Sequence, residues 1–220
     1  MIAATVTCSL GCVLLVLAEW RGHRGVRIVA KLVASASFVI VGAQAVPGAL
    51  PTTGFGGFVL AGLVLGAIGD VALLGRSKPR FLAGLAAFLL GHLAYVAGIS
   101  LITPASRWLV EAGLYAALPV VAGAVAIAVL WPRLGAMRAA VVGYVLAIVV
   151  LVIAAIAAAR SSALPDANRT RLVVGAAVFF VSDLAVARDR FVARAFNNKL
   201  WGLPANYAGQ LLIAWSLVER

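Results

Sequence analysis

Apolar residues run along this chain in long blocks, separated by short segments that gather glycine, proline and arginine. A membrane-spanning helix needs about 20 mostly apolar residues. Eight stretches meet that requirement: 2–19, 26–46, 55–75, 80–101, 105–131, 136–159, 169–187 and 201–218. Together they take up nearly all of the sequence, so the pattern predicts an all-α polytopic bundle of eight transmembrane helices, one integral membrane domain over 1–220. The first stretch has no basic segment ahead of it and no small-residue cleavage site leading into soluble chain, so it reads as a retained helix.

Composition agrees with the pattern. The 220 residues are 64% hydrophobic and 11% charged, with a mean hydropathy of +1.10, more apolar surface than a soluble domain of this size can hide. The net charge of +11 would raise nucleic acid as a partner in a soluble protein, but here the basic residues fall in alternate connections. Arg21, Arg24, Arg27 and Lys31 follow the first stretch, and Arg76, Lys78 and Arg80 the third. Arg133 and Arg138 follow the fifth, and Arg188, Arg190, Arg194 and Lys199 the seventh. The other connections and the C-terminus hold only Arg107, Arg160, Arg169, Arg171 and Arg220. By the positive-inside rule both termini are expected outside, in an inner cell membrane. The charge is topological, and no nucleic-acid partner follows from it. Cys8 and Cys12, four residues apart on one helix face, are poorly placed for a mutual disulfide and read as packing residues.

Within this apolar frame the polar side chains stand out. At about 1.5 Å per residue, Asp70 and Asp183 lie roughly 8–9 Å below the basic connections, with Tyr144, Tyr207 and Gln210 at similar depth and His92 deeper. A carboxylate at such depth is costly enough that function is the default expectation. His92 gains the same reading from its two acidic companions. Lys31 is open to a simpler reading, a side chain that snorkels to the surface. Gly62, Gly66 and Gly69 are expected to let a partner helix approach Asp70 closely. The outer halves of the helices are almost purely aliphatic, so the polar set points to one cavity open toward the cytoplasm.

An internal echo is also visible. In "LGAIGDVALLGRSKPRF" and "VFFVSDLAVARDRF" an apolar helix places an aspartate just before a basic connection. The next helix then supplies His92 and Tyr95, or Tyr207 and Gln210. A parallel duplication of a four-helix unit would produce this correspondence and bring the two aspartates together across a pseudo-twofold axis.

The segments "LGAIGDVALL", "AAFLLGHLAYVAG", "VGAAVFFVSDLAVA" and "PANYAGQLLIAWSL", in this order and spacing, resemble the lysoplasmalogenase family of YhhN-like eight-span membrane proteins. The resemblance covers nearly the full length. It implies cleavage of the vinyl ether bond of a lysoplasmalogen to a fatty aldehyde and glycerophosphocholine or glycerophosphoethanolamine. By motif, Asp70, His92, Tyr95, Ser182, Asp183, Tyr207 and Gln210 fall on family positions, and Lys31 matches a lysine that opens the second helix, with Leu32 where a proline usually follows.

The implied chemistry suits these residues. An enol ether is protonated slowly at its outer vinyl carbon, giving an oxocarbenium ion that captures water and collapses through a hemiacetal. Elsewhere two carboxyl groups divide such work, one protonated and donating, the other ionised and facing the cationic centre. Asp70 and Asp183 are the expected catalytic pair sharing one proton, with the acid unassigned between them, and His92 orients water or relays a proton. Lys31, Tyr95, Tyr144, Ser182, Tyr207 and Gln210 are the expected substrate-binding residues, and the partners are a lysophospholipid substrate and membrane lipids. Zinc is the competing chemistry, but only one histidine lies at depth, so a metal-free, cofactor-free site is expected. A proton-coupled transporter and a non-catalytic lipid-binding protein are the rival classes.

Overall fold

The computed structural model describes residues 1–49, 52–75, 77–161 and 164–218; Arg76 and Arg220, two of the charges used for topology, lie outside them. Among the described residues the chain is helical throughout, with α1 Ile2–Arg21, α2 Arg24–Ala45, α3 Thr53–Ala72, α4 Lys78–Ser100, the short α5 Trp108–Ala112, α6 Ala117–Leu134, α7 Arg138–Arg160, α8 Asp166–Phe191 and α9 Phe196–Trp215. Local chemistry sets several ends. Gly22, at φ 72°, takes the left-handed conformation that closes α1. Thr52 Oγ1 and Ser77 Oγ accept the Phe55 and Arg80 amides at 3.2 and 3.4 Å, capping α3 and α4.

Six segments are long and apolar enough to cross a membrane: Ile2–Arg21, Arg24–Gly48, Gly54–Ala72, Lys78–Ser100, Ala105–Arg160 and Asp166–Phe191. The Ala105–Arg160 segment, 56 residues long, contains both α6 and α7. The single helix expected over 105–131 is broken. Residues 105–107 and 113–116 form 3₁₀ turns around α5, and Gly113 has φ 53°, which an α-helix cannot continue through. Trp108 is anchored there, its Nε1 donating to the Thr103 carbonyl at 2.7 Å, while Leu109, Val110 and Leu114 point outward. α9 is not among the six segments. It carries Asn197, Asn198, Lys199, Asn206 and Gln210, and it tolerates them because Asn198, Asn206 and Gln210 face the interior.

Packing explains that tolerance. α1 lies on α2, α2 on α3 and α9, α3 on α4, α4 on α7, α7 on α6 and α8, and α8 on α9, which also touches α1 and α3. The outer faces are aliphatic, with Leu10, Val13, Ile68, Leu90, Val125 and Val129 all exposed, as a lipid-facing surface requires. Lipid tails are as apolar as these side chains, so close fit and polar contacts, rather than hydrophobic burial, hold such helices together.

Gly62, Gly66 and Gly69 make that fit on α3. A Cβ at Gly62 would lie 2.2 Å from the Tyr95 ring, at Gly66 2.4 Å from Gln210 Nε2, and at Gly69 2.7 Å from the Phe88 ring. The glycines admit side chains from α4 and α9 and also let the α4 backbone come close, a Cβ at Gly91 falling 3.2 Å from the Gly62 carbonyl oxygen and one at Gly84 3.3 Å from the Gly69 carbonyl oxygen. α8 and α9 likewise meet backbone to backbone, a Cβ at Gly209 falling 3.0 Å from the Gly175 carbonyl oxygen. The connections also meet: Phe81 and Phe191 stack edge to face at 5.9 Å, and the Arg190 guanidinium lies 4.4 Å from the Phe81 ring centre.

Replacing Gly62 by Val should lower stability by about 1–3 kcal/mol through overpacking against the buried Tyr95 ring. Gly57→Ala, with nothing within 4 Å of the new Cβ, should change it little. Thermal unfolding of both variants in detergent checks the contrast; equal midpoints would refute the packing role.

Candidate active site

Asp70 sits in the last turn of α3, and three other helix positions converge on its carboxylate. Lys31 Nζ, on α2, lies 3.0 Å from Oδ1. Ser35, one turn further along α2 and so on the same face, donates its hydroxyl to Oδ2 at 2.8 Å. Asn206 of α9 donates Nδ2 to Oδ2 at 3.2 Å and to Oδ1 at 3.5 Å. The Tyr207 hydroxyl lies 3.4 Å from Ser35 Oγ and extends the network. Lys31, Ser35, Asp70, Asn206 and Tyr207 are all buried. A cation and two neutral donors on one carboxylate satisfy the lone pairs that burial strips of water. Lys31 does not snorkel: its charge is spent on Asp70.

Asp183 has different company. On α8, its Oδ2 lies 3.5 Å from His92 Nε2 on α4, a pair within ionic reach but without hydrogen-bond geometry. The phenol of Tyr144, from α7, approaches the same carboxylate. Around it the surroundings are aromatic. The His92 ring meets Tyr144 edge-on at 5.2 Å and Phe179 at 4.9 Å, and Phe179 stacks on Phe88 at 6.0 Å. Among the described residues neither ring nitrogen of His92 nor Oδ2 of Asp183 has a hydrogen-bond partner, although all three atoms are buried.

The two carboxylates line one cavity of about 310 Å³. It opens at the end of the bundle that holds the α1–α2, α3–α4 and α8–α9 connections, where Glu19, Arg27, Gly75, Arg190, Arg194 and Lys199 form the mouth. Each aspartate keeps its own partners, and no hydrogen bond joins the two among the described residues. The expectation that they share a proton directly therefore has no contact behind it. At the mouth Asn198 orders the α8–α9 connection, accepting from Arg188 at 2.5 Å and donating to the Ala193 carbonyl at 2.7 Å, while Lys199 pairs with Asp189 at 3.0 Å.

Lys31, Ser182 and the two aspartates line the cavity; Tyr144 reaches Asp183 from an adjoining apolar crevice, and His92 backs it. Tyr95 and Gln210 do not line the cavity. They bond to each other, Tyr95 Oη donating to Gln210 Oε1 at 2.5 Å, both buried behind Asp70 between α4 and α9. The expectation for both is contact with substrate; the contact the structure shows is with each other, because the glycine face of α3 lets the two side chains meet across it. Ser35 and Asn206 went unrecognised in the sequence. Ser35 lay at the i+4 position of Lys31, and Asn206 beside Tyr207 in a segment already singled out. No group of three or more His, Cys, Asp or Glu side chains gathers among the described residues, whereas a zinc site takes three or four protein ligands.

Lys31→Met should cost about 3–5 kcal/mol, because it leaves the Asp70 charge buried without its cation. Adding Asp70→Asn to that variant should recover part of the loss. Unfolding midpoints of the two single variants and the double variant measure this, and an unchanged midpoint in Lys31→Met would contradict the pairing.

Comparison with known proteins adds an independent line. The chain is similar to the lysoplasmalogenase TMEM86A of Bos taurus, 30% identical over 163 residues, which is 73% of this chain and 65% of that protein. It thus spans less than two thirds of that relative's length. No solved structure matches it. The YhhN family matches over residues 12–217, from the middle of α1 to beyond the end of α9, and so takes in both aspartates and every partner described for them. The chain belongs to the YhhN family.

Proposed function

We propose that this chain is an intramembrane hydrolase that cleaves the vinyl ether bond of a lysoplasmalogen, giving a fatty aldehyde and a glycerophospho-alcohol. The observation that carries the reading is that Asp70 and Asp183 face one cavity with opposite partners, a lysine for one and aromatic rings with a histidine for the other. The similarity to a lysoplasmalogenase supports the substrate class.

The division of labour follows from the partners. Asp70, held by Lys31, Ser35 and Asn206, serves as the fixed anion. Asp183 serves as the acid and passes its proton to the outer vinyl carbon, whose π electrons form the new C–H bond. The carbon bound to the ether oxygen becomes an oxocarbenium centre, stabilised by the negative charge nearby. Water oriented by His92 adds to that carbon and returns a proton to Asp183, directly or through the imidazole. The resulting hemiacetal then breaks its C–O bond, the hydroxyl proton moves to the leaving oxygen, and aldehyde and alcohol separate. Arg190 and Arg194 at the mouth offer positive charge to the phosphate. The reaction needs no redox step and no cofactor.

Topology fits this arrangement. With the five-residue α5 too short to cross, α1–α4 and α6–α9 would make eight spans. The α3–α4 and α8–α9 hairpins take equivalent places, with α4 against α7 as α9 is against α2, the packing a parallel duplication would give. Basic residues at the cavity mouth support a cytoplasmic opening with both termini outside.

Purified protein in detergent should release fatty aldehyde from an alkenyl-lysophospholipid and leave the saturated ether analogue intact. Asp183→Asn and Asp70→Asn should each lower kcat by about 10²–10⁴-fold, the usual contribution of general acid–base groups. Full activity in either variant would refute the assigned roles, and no aldehyde from the wild-type protein would refute the activity.

A further inference from the structure

Beside the polar cavity lies a second, narrower space of about 50 Å³ between α4, α6, α7 and α8. Its walls are almost entirely apolar, with Leu85, Ala126, Leu130, Val145 and Ile148 on the far side. Leu73, Phe81, Phe88, Asp183 and Val186 line both spaces, so the crevice is the apolar continuation of the cavity. Asp183 is the one ionisable side chain on that shared wall.

We infer that this crevice receives the hydrocarbon chain of the substrate, so that a single-chain amphiphile lies across the two spaces with its polar–apolar junction at Asp183. The inference rests on the lipid-hydrolase reading for the nature of the occupant, but its geometry is independent of turnover. A lysophospholipid changes from polar to apolar at the linkage between glycerol and chain. The described site changes at Asp183, with arginines and lysines on one side of it and Leu, Val, Ile and Phe on the other. Only one registration satisfies both: head group in the wide cavity, chain in the crevice, linkage beside the carboxyl group. Leu130, on α6, becomes a determinant of chain fit although it lies outside the polar cavity.

Because bilayer tails offer a chain surroundings as apolar as the crevice does, the crevice discriminates by shape rather than by hydrophobic gain. Narrowing it should therefore act on long chains and spare short ones. Widening it should do the reverse.

The direct test uses a saturated ether lysophosphocholine, which the proposed chemistry cannot cleave, bearing a photoactivatable diazirine at the chain terminus. Irradiation of the full-length protein in detergent, followed by peptide mass spectrometry, should label Leu85, Ala126, Leu130, Val145 or Ile148. An excess of unlabelled analogue should suppress that labelling. Label spread evenly over the lipid-facing helices, insensitive to competition, would overturn the inference. So would label on the apolar groove between α1 and α2 that Leu10, Leu14, Val29 and Val33 line. Competed labelling in the crevice of a protein that releases no aldehyde would uphold the chain site while refuting the hydrolase reading. For the active protein, Val145→Trp should lower kcat/KM for a long-chain alkenyl substrate at least tenfold relative to a short-chain one. Leu130→Ala should shift preference toward bulkier chains. Equal effects on both chain lengths, in variants that keep the wild-type unfolding midpoint, would also refute it.

Discussion

The ion pair between Lys31 and Asp70 is the contact on which the interior of this bundle depends. A carboxylate buried among membrane-spanning helices is tolerable only when donors surround it. Here those donors come from α2 and α9 and the acceptor from α3, so satisfying one charge fixes three helices relative to one another. That requirement also accounts for α9, whose asparagines and glutamine would be costly against lipid and are instead the interior's source of hydrogen bonds. The glycines of α3 serve the same end by letting Tyr95 and Gln210 meet on its surface.

Asp183 shows the opposite solution. It is given a histidine and a phenol rather than a lysine, and aromatic rings rather than amides. The two acids reach the same cavity from helices in corresponding positions of the internal echo, yet their partners differ. A site built from two equivalent aspartates would have no reason to give them different chemistry. In the proposed reaction this asymmetry would let one remain an anion while the other handles a proton, and it would set the direction in which a lipid lies between polar and apolar walls.

Much of this was legible in the order of residues, for identifiable physical reasons. Long apolar runs show themselves because a membrane imposes a length, and Asp70, Asp183 and His92 show themselves because their burial is expensive. The break at Gly113 was not legible, since Leu109, Val110, Ala112 and Leu114 around it continue an apolar run and one glycine among 22 carries no mark of its φ. Nor were the partners of each acid. Ser35 and Asn206 are unremarkable alone and become important only when α2, α3 and α9 are brought together, which no local pattern states. The bond between Tyr95 and Gln210 was not legible for the same reason: which neighbour each side chain faces depends on packing.

In the proposed reaction a solvent-equilibrated carboxylic acid in this cavity protonates carbon rather than oxygen. Turnover of an alkenyl-lysophospholipid in D₂O, with the aldehyde trapped by reduction as it forms and analysed by mass spectrometry and NMR, tests that directly. The account predicts one deuterium on the carbon adjacent to the former aldehyde carbon. Product carrying only protium at that carbon would contradict it.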